Sequence, residues 1–239
     1  MRPLTRWDAL KLIGIALMFV DHSGHFFLED QQWLRGIGRA CAPIFLFLAG
    51  FAPHYRFDRK LVGLALLLTV SDWMMKGDIN TLNILWSILL IRLILGTLEK
   101  RGKYKLPLHE WVIGAIATFW LMMIFQYGSA GILIALAGYV YRHKAHYAPH
   151  TPQRFLYLTL FLYALLPALL GDFTMATNAI MAASLLALCV LVEWFLKNPS
   201  AILPCPAPLV GALKLCSRYT AFIYVGHLIL FGWMTGLAI

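Results

Sequence analysis

Five ionisable side chains interrupt what would otherwise be two clean apolar segments near the start of this chain. The stretch Trp7–Phe51 reads WDALKLIGIALMFVDHSGHFFLEDQQWLRGIGRACAPIFLFLAGF and carries Lys11, Asp21, His22, His25 and Arg39 within those segments. At membrane depth such groups cost free energy unless they are paired or hydrated, so they mark a functional site. An imidazole titrates near neutrality and passes a proton in either direction, which suits His22 to general-base work. A guanidinium such as Arg39 can polarise a reacting carbonyl oxygen. Two uses are open to Asp21, beside His22 or paired with Arg39. On an ideal helix Asp21, His22 and His25 fall within an arc of roughly 100°, and Lys11 lies on nearly the same face as His22, about 16 Å nearer the N-terminus.

The elements that hold these residues follow from composition. Hydrophobic residues make up 61% of the 239-residue chain and charged residues only 13%, well outside the range of a soluble domain. Apolar runs recur along its whole length, so the expected fold is all-α: a polytopic transmembrane bundle forming a single domain over 1–239. The alternation that a transmembrane barrel needs is missing. Nine helices are expected, at about 8–28, 32–53, 60–76, 81–98, 109–126, 128–142, 154–171, 176–196 and 218–238. The proline-rich run 199–213 (PSAILPCPAPLVGAL) reads as a re-entrant or interfacial loop, and Pro43 as a kink in the second helix.

Charge in the loops sets the orientation. Of the 20 basic residues, 15 fall in loops on one side, while Arg35 and Lys76 alone occupy the other and Lys11, Arg39 and Arg92 lie within helices. The expectation is a bacterial inner-membrane protein with its N-terminus cytoplasmic and its C-terminus periplasmic. The net charge of +9 is then a matter of topology, and no nucleic-acid partner is expected. Cys41, Cys189, Cys205 and Cys216 show no metal-ligand spacing, so they read as packing residues and no metal is expected.

Each polar candidate also has a structural reading. Lys11 could snorkel to the interface, and Arg39 could serve only to neutralise Asp21. Arg92, in the middle of the fourth helix, must find a partner. The histidines of the 143–150 loop read as a solvated face. Asp72, Asn83, Tyr127, Asp172 and Asn178 cluster at the expected outer ends of their helices, and His227 follows Tyr224 by three residues in the last one.

The run ALKLIGIALMFVDHSG followed by WLRGIGRACAPIFLFLAGF resembles the start of TraX proteins, pilin N-acetyltransferases of conjugative plasmids. The resemblance continues through Leu82-Asn83-Ile84-Leu85, Tyr127-Gly128-Ser129-Ala130-Gly131 and Phe222-Ile223-Tyr224-Val225-Gly226-His227-Leu228. It implies acetyl transfer from acetyl-CoA to the N-terminal amine of a membrane-inserted pilin subunit. The wider class of membrane acyltransferases, which O-acetylate surface sugars, carries on its first helix a basic residue and a histidine with ten residues between them, a spacing that Lys11 and His22 match. By that resemblance His22, with Asp21 and Arg39, is the expected catalytic group. Lys11 and Arg92 are expected to hold the acetyl-CoA donor, and Asn83, Tyr127, Tyr224 and His227 to line the acceptor site. His25 falls outside the pattern, and Ala49 stands where many relatives carry an acidic residue. The alternatives are an O-acetyltransferase of a surface or periplasmic sugar and a proton-coupled transporter in which Asp21 and His22 titrate.

Overall fold

The computed structural model describes residues 3–76, 81–171 and 173–236, apart from the side chains of Lys76 and Leu121. Asp172, expected at an outer helix end, lies outside the described residues. The helices run in the order α1 (Arg6–Phe26), α2 (Gln32–Gly38), α3 (Cys41–Phe51), α4 (Arg59–Lys76), α5 (Ile84–Lys100), α6 (Leu108–Ala117), α7 (Phe119–Met122), α8 (Gly128–Arg142), α9 (Thr151–Leu170), α10 (Met175–Lys197), α11 (Ala207–Arg218) and α12 (Thr220–Thr235). Among the described residues there is no strand, only isolated bridges between Thr5 and Ile202 and between Leu82 and Phe125. The all-helical expectation holds.

Three helical stretches are long and apolar enough to cross a membrane: Gln32–Phe51, Thr151–Leu170 and Met175–Lys197. The pair Ala207–Arg218 and Thr220–Thr235, bent by 77°, makes a fourth if it counts as one span. The other helices fall short of nine full spans for physical reasons. α1 carries Arg6, Asp8, Lys11 and Asp21, while α5, α6 and α8 have 17, 10 and 15 residues against the ~20 a bilayer asks for. Large apolar side chains are nonetheless exposed on several helices, among them Met175 at 89% and Trp120 at 78%. Apolar surface of that extent belongs to a membrane protein.

Two expectations about local structure change. The segment 109–126 is not one helix, because α6 ends at Thr118 and a single turn, α7, follows it. The proline-rich loop ends sooner than expected: Pro206 caps α11, and a proline in the first turn is compatible with a helix because its missing N–H has no partner there anyway. Pro43 likewise sits in the first turn of α3, and the second helix breaks earlier, at Arg39 and Ala40.

The chain divides into two compact units, Met1–Phe45 with Pro167–Leu237, and Leu46–Leu166, the divisions falling inside α3 and α9. In the first unit α1 packs on α2, α10, α11 and α12. Thr5 caps α1 in a reciprocal box with Asp8, satisfying two backbone donors that the helix leaves open. The chain before α11 is tied to this cap, since Leu203 N–H donates to the Leu4 carbonyl at 2.9 Å and Arg6 N–H to the Ala201 carbonyl at 3.1 Å. Between α1 and α2 the approach is closest at Gly38, where a β-carbon would overlap the backbone of Asp21.

In the second unit α8 is the core helix, buried from Ser129 to Val140 except at Ile132. Gly50 and Gly138 let α3 and α8 touch backbone to backbone. Arg142 locks the end of that contact, donating to the Ala52 and Pro53 carbonyls at 2.6 and 2.8 Å and pairing with Glu99 at 3.0 Å. Leu82 and Phe125 bridge the start of α5 to the turn before α8, where Tyr127 takes a left-handed φ of 67°.

Overpacking at a backbone contact destabilises by about 1–3 kcal/mol, whereas alanine relieves a solvent- or lipid-facing helical glycine of its entropy cost, roughly 0.5–1 kcal/mol. Gly38→Ala is therefore expected to lower the thermal midpoint in detergent. Gly63→Ala, where a β-carbon meets nothing within 4 Å, should leave it unchanged or raise it. Equal midpoints for the two variants would show that α1 and α2 do not meet at Gly38.

Candidate active site

In the first unit α1 presents Asp21, His22 and His25, the break after α2 presents Arg39, and α12 brings Tyr224 and His227. His22 Nδ1 and His227 Nε2 are 2.6 Å apart, with their rings stacked at 4.8 Å and 19°. The other nitrogen of His227, Nδ1, lies 2.8 Å from the Ile223 carbonyl one turn earlier. A carbonyl only accepts, so Nδ1 of His227 carries the proton. With both rings neutral, His227 Nε2 is then an acceptor, and His22 must donate to it through Nδ1–H. Nε2 of His22 is left with its lone pair, the form a general base requires. One backbone carbonyl thus sets the tautomers of two rings.

An aromatic wall surrounds the pair. The Phe19 ring is 4.7 Å and the Phe231 ring 5.5 Å from that of His227, while Tyr224 stands 6.2 Å from the His22 ring. Neutral imidazoles suit such surroundings better than imidazolium would.

Asp21 is buried, at 3% exposure, and its Oδ1 lies 3.8 Å from Arg39 Nε. The open pairing of the sequence reading thereby resolves toward Arg39. Separation by 3.8 Å makes this an ion pair without a direct hydrogen bond. The Arg39 guanidinium also lies over the Phe173 ring at 5.5 Å, and Arg35, one turn earlier, lies over the same ring at 5.1 Å. From sequence alone Arg35 counts as an outer-loop charge. Its i,i+4 relation to Arg39 in R-G-I-G-R was the signal that could have placed it here. His25 turns to Phe26, with ring centroids 4.8 Å apart.

Lys11 sits near the start of α1, donating to the Ser217 carbonyl at 3.4 Å, with its ammonium 5.9 Å from the Trp7 ring. Beside it Asp8 pairs with Lys214 at 3.2 Å and accepts from the Ser217 hydroxyl at 2.8 Å.

The remaining expected residues belong to the second unit. Asn83 caps α5, accepting from Leu85 N–H at 3.1 Å while its amide donates to the Ala65 carbonyl and the Thr69 hydroxyl at 3.1 and 3.0 Å. Its polar atoms are engaged in joining α4 to α5. Arg92 finds its partners in the loop before α4, the Asp58 carboxylate at 4.0 Å and the Arg56 carbonyl at 3.5 Å. Tyr127 faces Tyr163 at 5.9 Å. Among the described residues no cluster of His, Cys, Asp or Glu could hold a metal ion.

Comparison with known proteins gives one decisive match. The family model described as TraX protein covers residues 6–235. The chain belongs to the TraX family. A further relative of this TraX member is an uncharacterized protein of Rickettsia prowazekii (strain Madrid E), 22% identical over 139 residues. That match covers 57% of this chain and 56% of the relative, so the chain spans about half the length of the curated protein it matches. No solved structure matches it.

Removing one partner of a buried ion pair strands the other charge, at a cost of about 3–5 kcal/mol. Asp21→Asn and Arg39→Gln are each expected to reduce the yield of folded protein, and the double variant should lose less than the two losses added. Thermal midpoints of the four proteins of the cycle would decide it. Strict additivity would mean that the two side chains do not interact.

Proposed function

We propose that this TraX member is a membrane-embedded acetyltransferase that moves an acetyl group from acetyl-CoA to the N-terminal amine of a pilin subunit, acting at the bacterial inner membrane. The TraX family is associated with conjugative pilin processing, which supports that acceptor. The observation that carries the reading is the Ile223–His227–His22 chain, which leaves His22 Nε2 a base with a set orientation.

In the proposed reaction His22 Nε2 takes the proton from the attacking amine as its nitrogen bonds to the thioester carbonyl carbon. Arg39, with Arg35 behind it on the same ring, supplies positive charge to the oxygen that becomes anionic. His22 then returns the proton to the departing sulfur as the C–S bond breaks, so the base is regenerated and CoA leaves as a thiol. His227 acts on His22 rather than on the substrate, which makes it a positioning residue and not the acceptor-lining group expected from sequence. Asp21 offsets Arg39 in the resting state. The fit of the donor rests on Lys11, about 16 Å from His22 along α1 and on nearly the same face, a basic group that could hold a phosphate while the thioester reaches the histidine. Arg92 is engaged by Asp58 and takes no part in this scheme.

Purified protein given labelled acetyl-CoA and an amine-bearing pilin peptide should transfer label. His22→Ala is expected to lower kcat by about 10²–10⁴-fold while CoA still binds. Lys11→Ala should act mainly on the KM for acetyl-CoA. His227→Gln, whose amide can donate to the Ile223 carbonyl and accept from His22, should retain more activity than His227→Ala and keep the wild-type pH profile. Normal turnover by His22→Ala would overturn the proposal, as would proton-driven uptake into vesicles without acetyl transfer.

A further inference from the structure

Independently of the His22 site, the second unit contains a cavity of about 790 Å³ between the end of α5, α6 and the start of α8. At one end its lining includes Lys103 and Lys105, and from there it follows α6 past Trp111, Gly114 and Thr118. α6 has ten residues, so the groove extends roughly 15 Å beyond its basic mouth. The mouth is built and held: Lys103 N–H donates to the Leu98 carbonyl at 3.0 Å, the Tyr139 hydroxyl to the Lys103 carbonyl at 3.0 Å, and Leu106 N–H to the Tyr147 hydroxyl at 2.8 Å.

Charge and polarity change along the groove. Lys103 and Lys105 line the mouth, with Lys100 and Arg101 adjacent in sequence; of the carboxylates, Glu99 is paired with Arg142, and Glu110, in the lining at the first turn of α6, stands 4.0 Å from His109. Farther in, the wall offers little to a polar ligand. The Thr118 hydroxyl is bonded to the Gly114 carbonyl at 2.7 Å, and Ser129 at the far end holds a buried Oγ without a hydrogen-bond partner. Gly114 leaves open space, since a β-carbon there would meet nothing within 4 Å. On the outer face of α6, Ile113 and Ile116 are 63% and 66% exposed, so the groove borders an apolar surface.

We infer that this groove binds an anionic glycerophospholipid, its phosphate at Lys103 and Lys105 and one acyl chain along Trp111, Gly114 and Thr118. A basic cluster at the end of an apolar helix attracts acidic headgroups, and an indole suits the interface between head and chain. A coenzyme thioester would share the phosphate but would lay an amide-bearing arm along Trp111, Gly114 and Ala115, where an acyl chain loses no hydrogen bonds and the arm would. The lipid is therefore the better occupant.

Delipidated protein in detergent, titrated with dioleoyl phosphatidylglycerol or dioleoyl phosphatidylcholine and followed by native mass spectrometry, tests the assignment. Phosphatidylglycerol should bind about tenfold tighter or more. Lys103→Gln with Lys105→Gln should abolish that preference without changing the thermal midpoint, because both side chains are exposed. Gly114→Phe should weaken both lipids by filling the groove. Equal binding of the two lipids by the wild type would overturn the proposal, as would a preference that survives the lysine changes. Displacement of phosphatidylglycerol by CoA or inorganic phosphate at matching concentration would reassign the groove to a soluble phosphate ligand.

Discussion

A buried carboxylate governs the first unit. Asp21 has almost no access to solvent and sits on a helix that must pass through apolar surroundings, so its charge needs an opposite one nearby. Arg39 supplies that charge, but only because the helix carrying it comes unusually close. Gly38 permits the approach, and the break at Arg39 and Ala40 turns the guanidinium toward α1. Pro43 contributes from the other side of the break, since without an N–H it cannot donate to the Arg39 carbonyl. Charge pairing, a missing β-carbon and a missing backbone donor thus converge on one corner, and the rest of the site is arranged around it.

How far that corner could be read from sequence depends on the residue. Ionisable groups in an apolar run announce themselves, and a buried carboxylate with an arginine on the next helix makes Arg39 a candidate partner for Asp21. His227 was legible as part of the site but not in its role, because a hydrogen bond to His22 spans 205 positions and no local pattern encodes it. Asn83 shows the opposite failure. A short polar motif looked like a ligand, yet its side chain is fully employed by its own helix cap and by α4. Arg92 plainly required a partner, and sequence alone did not say that Asp58 would be it.

The fold was legible where periodicity or turn chemistry was strong. Gly128 marks the start of α8, and the end at Arg142 coincides with the change to a basic loop. Apolar content misled elsewhere. The run 109–126 is hydrophobic enough for one helix, but the chain turns at Thr118 and again before Tyr127, where the Leu82 bridge holds it. Prolines hid α11, whose amphipathic helix begins only once Pro206 has served as its cap. Composition says how apolar a segment is; it does not say where the backbone hydrogen bonds are interrupted.

The two charged groups and the two histidines divide the work between them. A base that must take up and return a proton in a low-dielectric site needs an orienting partner, and a carboxylate in that position would add an ion beside it. His227 orients His22 through Nε2 while staying neutral, its own tautomer set by the Ile223 carbonyl. The carboxylate instead stands against Arg39, where its charge is compensated. In the proposed reaction His22 holds the proton only between its uptake from the amine and its return to the sulfur. A fast return of the proton suits the proposed transfer, in which the departing sulfur must be protonated before the site can turn over.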